Sequence, residues 1–140
     1  MGSRMIVADT NLVAYSVIPG PHEGEVERVR AADHDWIAPQ LLRSELLNVL
    51  VRYIAEGRID RDMGLKTFRR GMSLVKLLDR PTEAIGIFNL CQSAGCSSYD
   101  AEFVWLAREL GVPLITADQQ VLDAFPETAI SFSVFIESRR

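Results

Sequence analysis

Lysine is nearly missing from this 140-residue chain: only Lys66 and Lys76 occur, so 13 of its 15 bases are arginine. That excludes a lysine-rich nucleic-acid or membrane patch, and the remaining bias suits planar, bidentate contacts to phosphate or carboxylate, or simply reflects genomic composition. Cysteine is equally sparse. Cys91 and Cys96 are separated by four residues and have no companion pair, which excludes a zinc-finger or disulfide framework and leaves buried thiols in a reducing compartment as the reading. The two histidines, His22 and His34, lie in polar connections and read as surface residues. No apolar run approaches the roughly 20 residues of a membrane span, and no apolar signal segment opens the chain, so a soluble cytoplasmic protein is expected. A basic excess is missing too, since the net charge is -4, the wrong sign for a phosphate binder.

What is present is ordinary globular composition, 48% hydrophobic and 24% charged, without repeats, low-complexity tracts or linkers. Met1-Gly2-Ser3-Arg4 precede a second methionine that opens an apolar run, and read as a non-native remnant. Residues 5–140 are then expected to form one domain, because this length buries a single core.

Met5-Ile6-Val7-Ala8 is continuous and apolar, as in a buried strand of a parallel sheet, and ends at Asp9. Asn11 is expected to cap a helix from Leu12 to Val17, which Pro19-Gly20-Pro21 stops. Glu23 to Ala32 reads as a helix and Trp36-Ile37-Ala38 as a strand. Pro39 suits the first position of a helix whose apolar residues Leu42, Leu46, Val49, Leu50, Tyr53 and Ile54 repeat up to Gly57. Asp60 caps a helix to about Met72, and Leu74 to Leu78 forms a third strand. Thr82 caps a helix reaching Ala94, closed by Gly95. Ser97-Ser98-Tyr99-Asp100 leads into a helix from Ala101 to Leu110. Val112 to Thr116 is a strand, Ala117-Asp118 the turn beyond it, and a short helix through Leu122 precedes a last strand near Ala129 to Phe132. Such alternation predicts an α/β/α sandwich with a central, mainly parallel sheet of about five strands. In these sheets ligands bind beyond the carboxyl ends of the strands, where Asp9 and Asp118 fall.

Asp9-Thr10-Asn11, Arg43-Ser44-Glu45-Leu46, Tyr99-Asp100-Ala101 and Thr116-Ala117-Asp118 follow one another in the order found in a known family. The chain resembles PIN domains, in particular the VapC-type ribonuclease toxins of toxin-antitoxin pairs, over residues 5 to 137. The resemblance implies a hydrolase, an endoribonuclease, whose Asp9, Glu45, Asp100 and Asp118 bind Mg²⁺ or Mn²⁺. Thr116 matches a hydroxyl that accompanies the last aspartate, and Thr10 and Asn11 are supporting positions; Glu102 and Trp105 depart from the family pattern. It further implies an RNA substrate, a homodimer, and a small antitoxin protein whose tail blocks the acidic pocket through Arg or Lys.

Elementary electrostatics points the same way. Two carboxylates about 4 Å apart repel by roughly 4 kcal/mol at an effective dielectric near 20, so four together need a cation or raised pKa values. Oxygen ligands without His or Cys favour Mg²⁺ or Mn²⁺ over Zn²⁺. With these four set aside, acids and bases balance. Taken singly, Asp100 reads as a helix cap, Asp118 as a turn residue and Glu45 as a solvated acid beside Arg43. Asp123, Glu102 and Asn48 read as peripheral. Tyr99, Trp36 and Trp105 read as core aromatics rather than base-stacking platforms, and Arg43, Arg52 and Arg108 as either a phosphate path or solvated helix faces. A haloacid-dehalogenase-like phosphatase is disfavoured because Asn11 stands where a second aspartate belongs, and a receiver domain because no lysine follows the last strand. A PIN-like module that binds RNA or protein without cutting is the remaining alternative.

Overall fold

The computed structural model describes residues 5–140, so the reading of the first four residues lies outside it. Five strands form one sheet in the order β3-β2-β1-β4-β5, every pair parallel. In chain order these are β1 (Ile6–Ala8), β2 (Trp36–Pro39), β3 (Val75–Leu78), β4 (Leu114–Ile115) and β5 (Ala129–Ile130). Eight helices connect and follow them: α1 (Thr10–Val17), α2 (Glu23–Ala32), α3 (Leu41–Ala55), α4 (Arg61–Leu74), α5 (Ala84–Ala94), α6 (Ser98–Leu110), α7 (Gln119–Ala124) and α8 (Phe132–Ser138).

The expected sandwich is therefore observed, with the sheet wholly parallel. Strands buried on both faces need cover on both, and β1 and β2 are buried at every position. Helix α6 lies on β1, β2 and β4 with α5 beside it, while α1 to α4 pack among themselves, α3 against β2 and α4 against β3. One close approach requires a glycine: a Cβ on Gly71 of α4 would fall 2.9 Å from Leu46 Cδ2 and 3.3 Å from Val13 Cγ1.

Several boundaries differ from the expectations, each for a local reason. Helix α1 is capped by Asp9, whose carboxylate accepts from the Leu12 amide at 2.8 Å; Asn11 lies inside the helix. Pro39 ends β2 instead of opening a helix, at a point beyond the Trp36 and Ile37 pairing with β1, where a missing donor costs little. Leu74 belongs to α4, and Glu83, not Thr82, precedes α5. Ser97 caps α6, so the helix begins at Ser98 and Asp100 sits in its first turn. The last strand stops at Ile130. Ser131 caps the Val134 amide at 3.3 Å and opens α8, a helix the sequence reading did not contain, which buries Phe132 and Phe135 one turn apart.

The chain steps outward from β1 through β2 to β3, then returns to the other side of β1 as β4. The reversal of direction opens a crevice at the carboxyl ends of β1 and β4.

Candidate active site

A cleft of about 500 Å³ occupies that crevice, and Asp9, Glu45, Asp100 and Asp118 all line it. Each arrives from a different element. Asp9 follows β1, Glu45 stands on α3, Asp100 lies in the first turn of α6, and Asp118 follows β4 as the cap of α7. The two aspartates at strand ends serve the helices as well as the cleft. Asp118 Oδ1 accepts from the Gln120 amide at 2.9 Å, so a capping role and a place in the cleft are compatible.

Two threonines hold the carboxylates. Thr116, 1% exposed, accepts from the Asp118 amide at 3.0 Å and donates its hydroxyl to Asp9 Oδ2. The Thr10 hydroxyl donates to Glu45 Oε1. Both threonines thus spend their only donor on a cleft carboxylate.

The energetic signature is that of acids kept close without counter-charge. Burial pushes the Asp9 carboxyl up to about 6, against the lowering effect of its bonds from Thr116 and Leu12; the charges of Asp118 and Glu45 push it further the same way. Glu45 is raised by burial and by Asp100 and Glu102, and Asp100 by burial and Asp118. Among the described residues no Arg, Lys or His lines the cleft. Among the described residues none of the four acids takes part in an ion pair.

All available donors are hard oxygens, which suits Mg²⁺ or Mn²⁺. Among the described residues no three His, Cys, Asp or Glu side chains are gathered into a ready-made cage. The acids instead stand around an open cleft, where an ion that keeps several of its own waters can be held by some of them directly and by the rest through those waters.

The sequence profile of the PIN domain family matches residues 6–128. The chain belongs to the PIN domain family. It is 25% identical over 124 residues to ribonuclease VapC3 of Pyrobaculum aerophilum, covering 86% of this chain and 95% of that protein. The crystal structure of PAE2754 from Pyrobaculum aerophilum superposes with a TM-score of 0.75 at 20% identity, covering 99% of this chain and 97% of the other, and shows the same fold.

Within this PIN fold the remaining candidates separate clearly. Thr10, Asn11 and Thr116 line the cleft. So do Ser44, Asn48 and Tyr99, of which the sequence reading missed the first and set aside the other two. The overlooked signal was helical spacing: Leu41, Ser44, Glu45, Asn48 and Val49 form one face of α3. Tyr99 is no core residue, being 59% exposed. Trp36 is buried and donates to the Asp33 carbonyl at 2.7 Å, whereas Trp105 packs beside Gly86. Glu102 acts on Glu45 through its charge, and Asp123 belongs to a neighbouring hollow, where it accepts from Gln119.

Arg43, Arg52 and Arg108 stay outside the cleft; Arg43 lies over Phe68, and Arg108 bonds Thr128 at 3.1 Å while covering Phe125. His22 is stacked on Tyr15 with ring centroids 4.2 Å apart, not free on the surface. Cys91 and Cys96 are free and only half-buried, and burial together with the neighbouring Cys91 pushes the Cys96 thiol up to about 11. Among the described residues no helix is long and apolar enough to cross a membrane.

Proposed function

We propose that this PIN protein, acting as one unit over residues 5–140, is a Mg²⁺- or Mn²⁺-dependent endoribonuclease. The observation that carries the reading is the convergence of four carboxylates from four distant elements on one cleft that no basic side chain lines among the described residues. Burial first, and the neighbouring charges of Asp118 and Glu45 after it, push the Asp9 carboxyl up, and a divalent ion would offset that cost.

Asp9, Glu45, Asp100 and Asp118 would hold the ion. Bound there, Mg²⁺ or Mn²⁺ supplies Lewis-acid chemistry, lowering the pKa of water and stabilising the leaving oxygen of a phosphodiester. The chain's own residues supply the geometry. Thr116 fixes the Asp9 rotamer through its hydroxyl, and its bond from the Asp118 amide ties the two strand-end aspartates to one reference point. Thr10 performs the same service for Glu45. The apolar walls contributed by Leu41, Val49, Phe103 and Val121 limit bulk water around the acids. Among the described residues no cysteine or histidine lines the cleft, and a metal-activated water would be the attacking group.

Similarity to ribonuclease VapC3 supports RNA as substrate and a toxin's role in a type II toxin-antitoxin pair. We further propose a homodimer and a small antitoxin, whose tail would place an Arg or Lys among the carboxylates of the cleft. The reading is tested by hydrolysis of single-stranded RNA with Mn²⁺ or Mg²⁺ added or chelated, set beside Asp9→Asn. Metal-dependent cutting that this variant lacks is expected; equal cutting by both proteins sinks the assignment. Copurification with the product of a neighbouring small reading frame tests the antitoxin.

A further inference from the structure

Beyond the carboxylates, the cleft carries a second set of groups that metal binding leaves unused. Asn11, Ser44 and Asn48 line it, and none of their side chains makes a hydrogen bond within the described residues. Ser44 and Asn48 lie one turn apart on α3, on the same face as Glu45. Across the sequence, at the start of α6, Tyr99 also lines the cleft and leaves 59% of its surface in water directly beside Asp100. An exposed aromatic ring lining the same cleft as two free carboxamides and a free hydroxyl offers one stacking surface and several neutral donors and acceptors.

The charge of the cleft narrows what these groups can recognise. Among the described residues a phosphate backbone finds no cationic side chain there to serve as a direct counter-charge. The neutral groups can bond phosphate, ribose or base, but the exposed Tyr99 ring offers a stacking surface that of these three only a base can use. Single-stranded RNA exposes both the faces and the edges of its bases; in a duplex the stack hides the faces.

We propose that Tyr99, Asn48, Asn11 and Ser44 form a base-binding subsite beside the scissile phosphate, in which Tyr99 stacks on one unpaired base and the two asparagines and the serine read its edge. This rests on the ribonuclease reading and adds to it the residues that select the cut site. Tyr99 and Asn48 touch the substrate without holding the metal. Their loss changes which RNA is cut and how tightly it is held, and leaves ion uptake intact.

The experiment compares wild type, Tyr99→Ala, Tyr99→Phe and Asn48→Ala by three measurements: sequence profiles of cuts in a randomised single-stranded RNA pool, anisotropy titration of a fluorescent pentanucleotide pool, and Mn²⁺ titration calorimetry. Tyr99→Ala is expected to weaken RNA binding about five- to tenfold or more, in the range of one lost base stack, while Tyr99→Phe binds like wild type. Asn48→Ala is expected to flatten the base preference at one position next to the cut. All three variants should take up Mn²⁺ like wild type. Unchanged binding by Tyr99→Ala together with an unchanged cut profile for Asn48→Ala overturns the subsite while leaving the nuclease intact. If wild type binds the pentanucleotides without cutting any RNA, the nuclease reading fails and the binding data alone decide the subsite. Weaker binding that coincides with weaker Mn²⁺ uptake also overturns it, because the residues would then be acting through the ion.

Discussion

The acids of the cleft and the arginines of the surface are charged residues treated in opposite ways. Arg30, Arg43, Arg58, Arg108 and Arg139 each lie over an aromatic ring, at 3.9 to 5.5 Å from the centroid, so their planar groups are spread around the molecule and partly covered. Stacking gives these five arginines a role of their own, since guanidinium stacks where an ammonium would stay hydrated. The four carboxylates are instead brought together, half-buried and without ion pairs. One arrangement lowers the free energy of the fold and the other raises it. A cost kept at the mouth of a crevice marks a candidate functional site.

The sharpest way to separate the two regions is Asp9→Asn. Asparagine caps a helix as well as aspartate does, so α1 survives, while RNA cleavage should fall by about 100-fold or more with the loss of a ligand. At pH 7 and without metal the variant should unfold at a temperature equal to or above wild type, because an unfavourable charge is gone. A lower melting temperature with retained cleavage would reverse the contrast.

Metal and pH act on the same cost. The Asp9 carboxyl is raised to about 6 from 3.8, and Glu45 and Asp100 move in the same direction, so the folded chain holds protons that the unfolded chain has released. Metal-free stability is therefore greatest, as far as these groups decide it, below about pH 4, and is lost as pH rises through 6. For Asp9 the loss is on the order of 2 to 3 kcal/mol. Free Mn²⁺ at one hundred times its dissociation constant should return about 2.7 kcal/mol at neutral pH, and a chelator should reverse it. Thermal unfolding across pH 4 to 8 with and without Mn²⁺ measures both; stability that rises between pH 4 and 7 in Asp9→Asn less steeply than in metal-free wild type would contradict the sign.

Away from the cleft the expected effects are structural alone. Gly71→Leu forces a side chain against Leu46 and Val13, both fully buried, and should cost about 1 to 3 kcal/mol by denaturant unfolding. Arg108→Ala removes the cover of Phe125 and the bond to Thr128, and should cost about 1 kcal/mol with RNA cleavage unchanged. A cleavage defect in Arg108→Ala would restore the phosphate path.

The strand-helix alternation was legible because its signals are local. Apolar runs end at Asp9 and before Asp118, Asp60 caps α4 through the Met63 amide, and Gly95 and Gly111 close α5 and α6 in the left-handed region. The convergence of the acids was legible only through the order of their motifs, as nothing near Glu45 in the chain says that it faces Asp9. Helix α8 was hidden because seven residues carry two buried phenylalanines and no stronger period, so Phe132 reads equally as the end of a strand. Pro39 misled because its helix-opening habit and its tolerance at a strand end are both local, and only the pairing with β3 decides between them. The uncharged lining of the cleft was overlooked for a different reason. Ser44 and Asn48 look like surface residues and Tyr99 like a core aromatic until the fold gathers them around one crevice.

Calorimetric titration of Mn²⁺ at pH 7.5 into wild type and into Asp9→Asn, Glu45→Gln, Asp100→Asn and Asp118→Asn tests the shared ion site most directly. Uptake by wild type that weakens about tenfold or more in each variant is the expected result. No uptake by wild type, or uptake indifferent to all four substitutions, would contradict it.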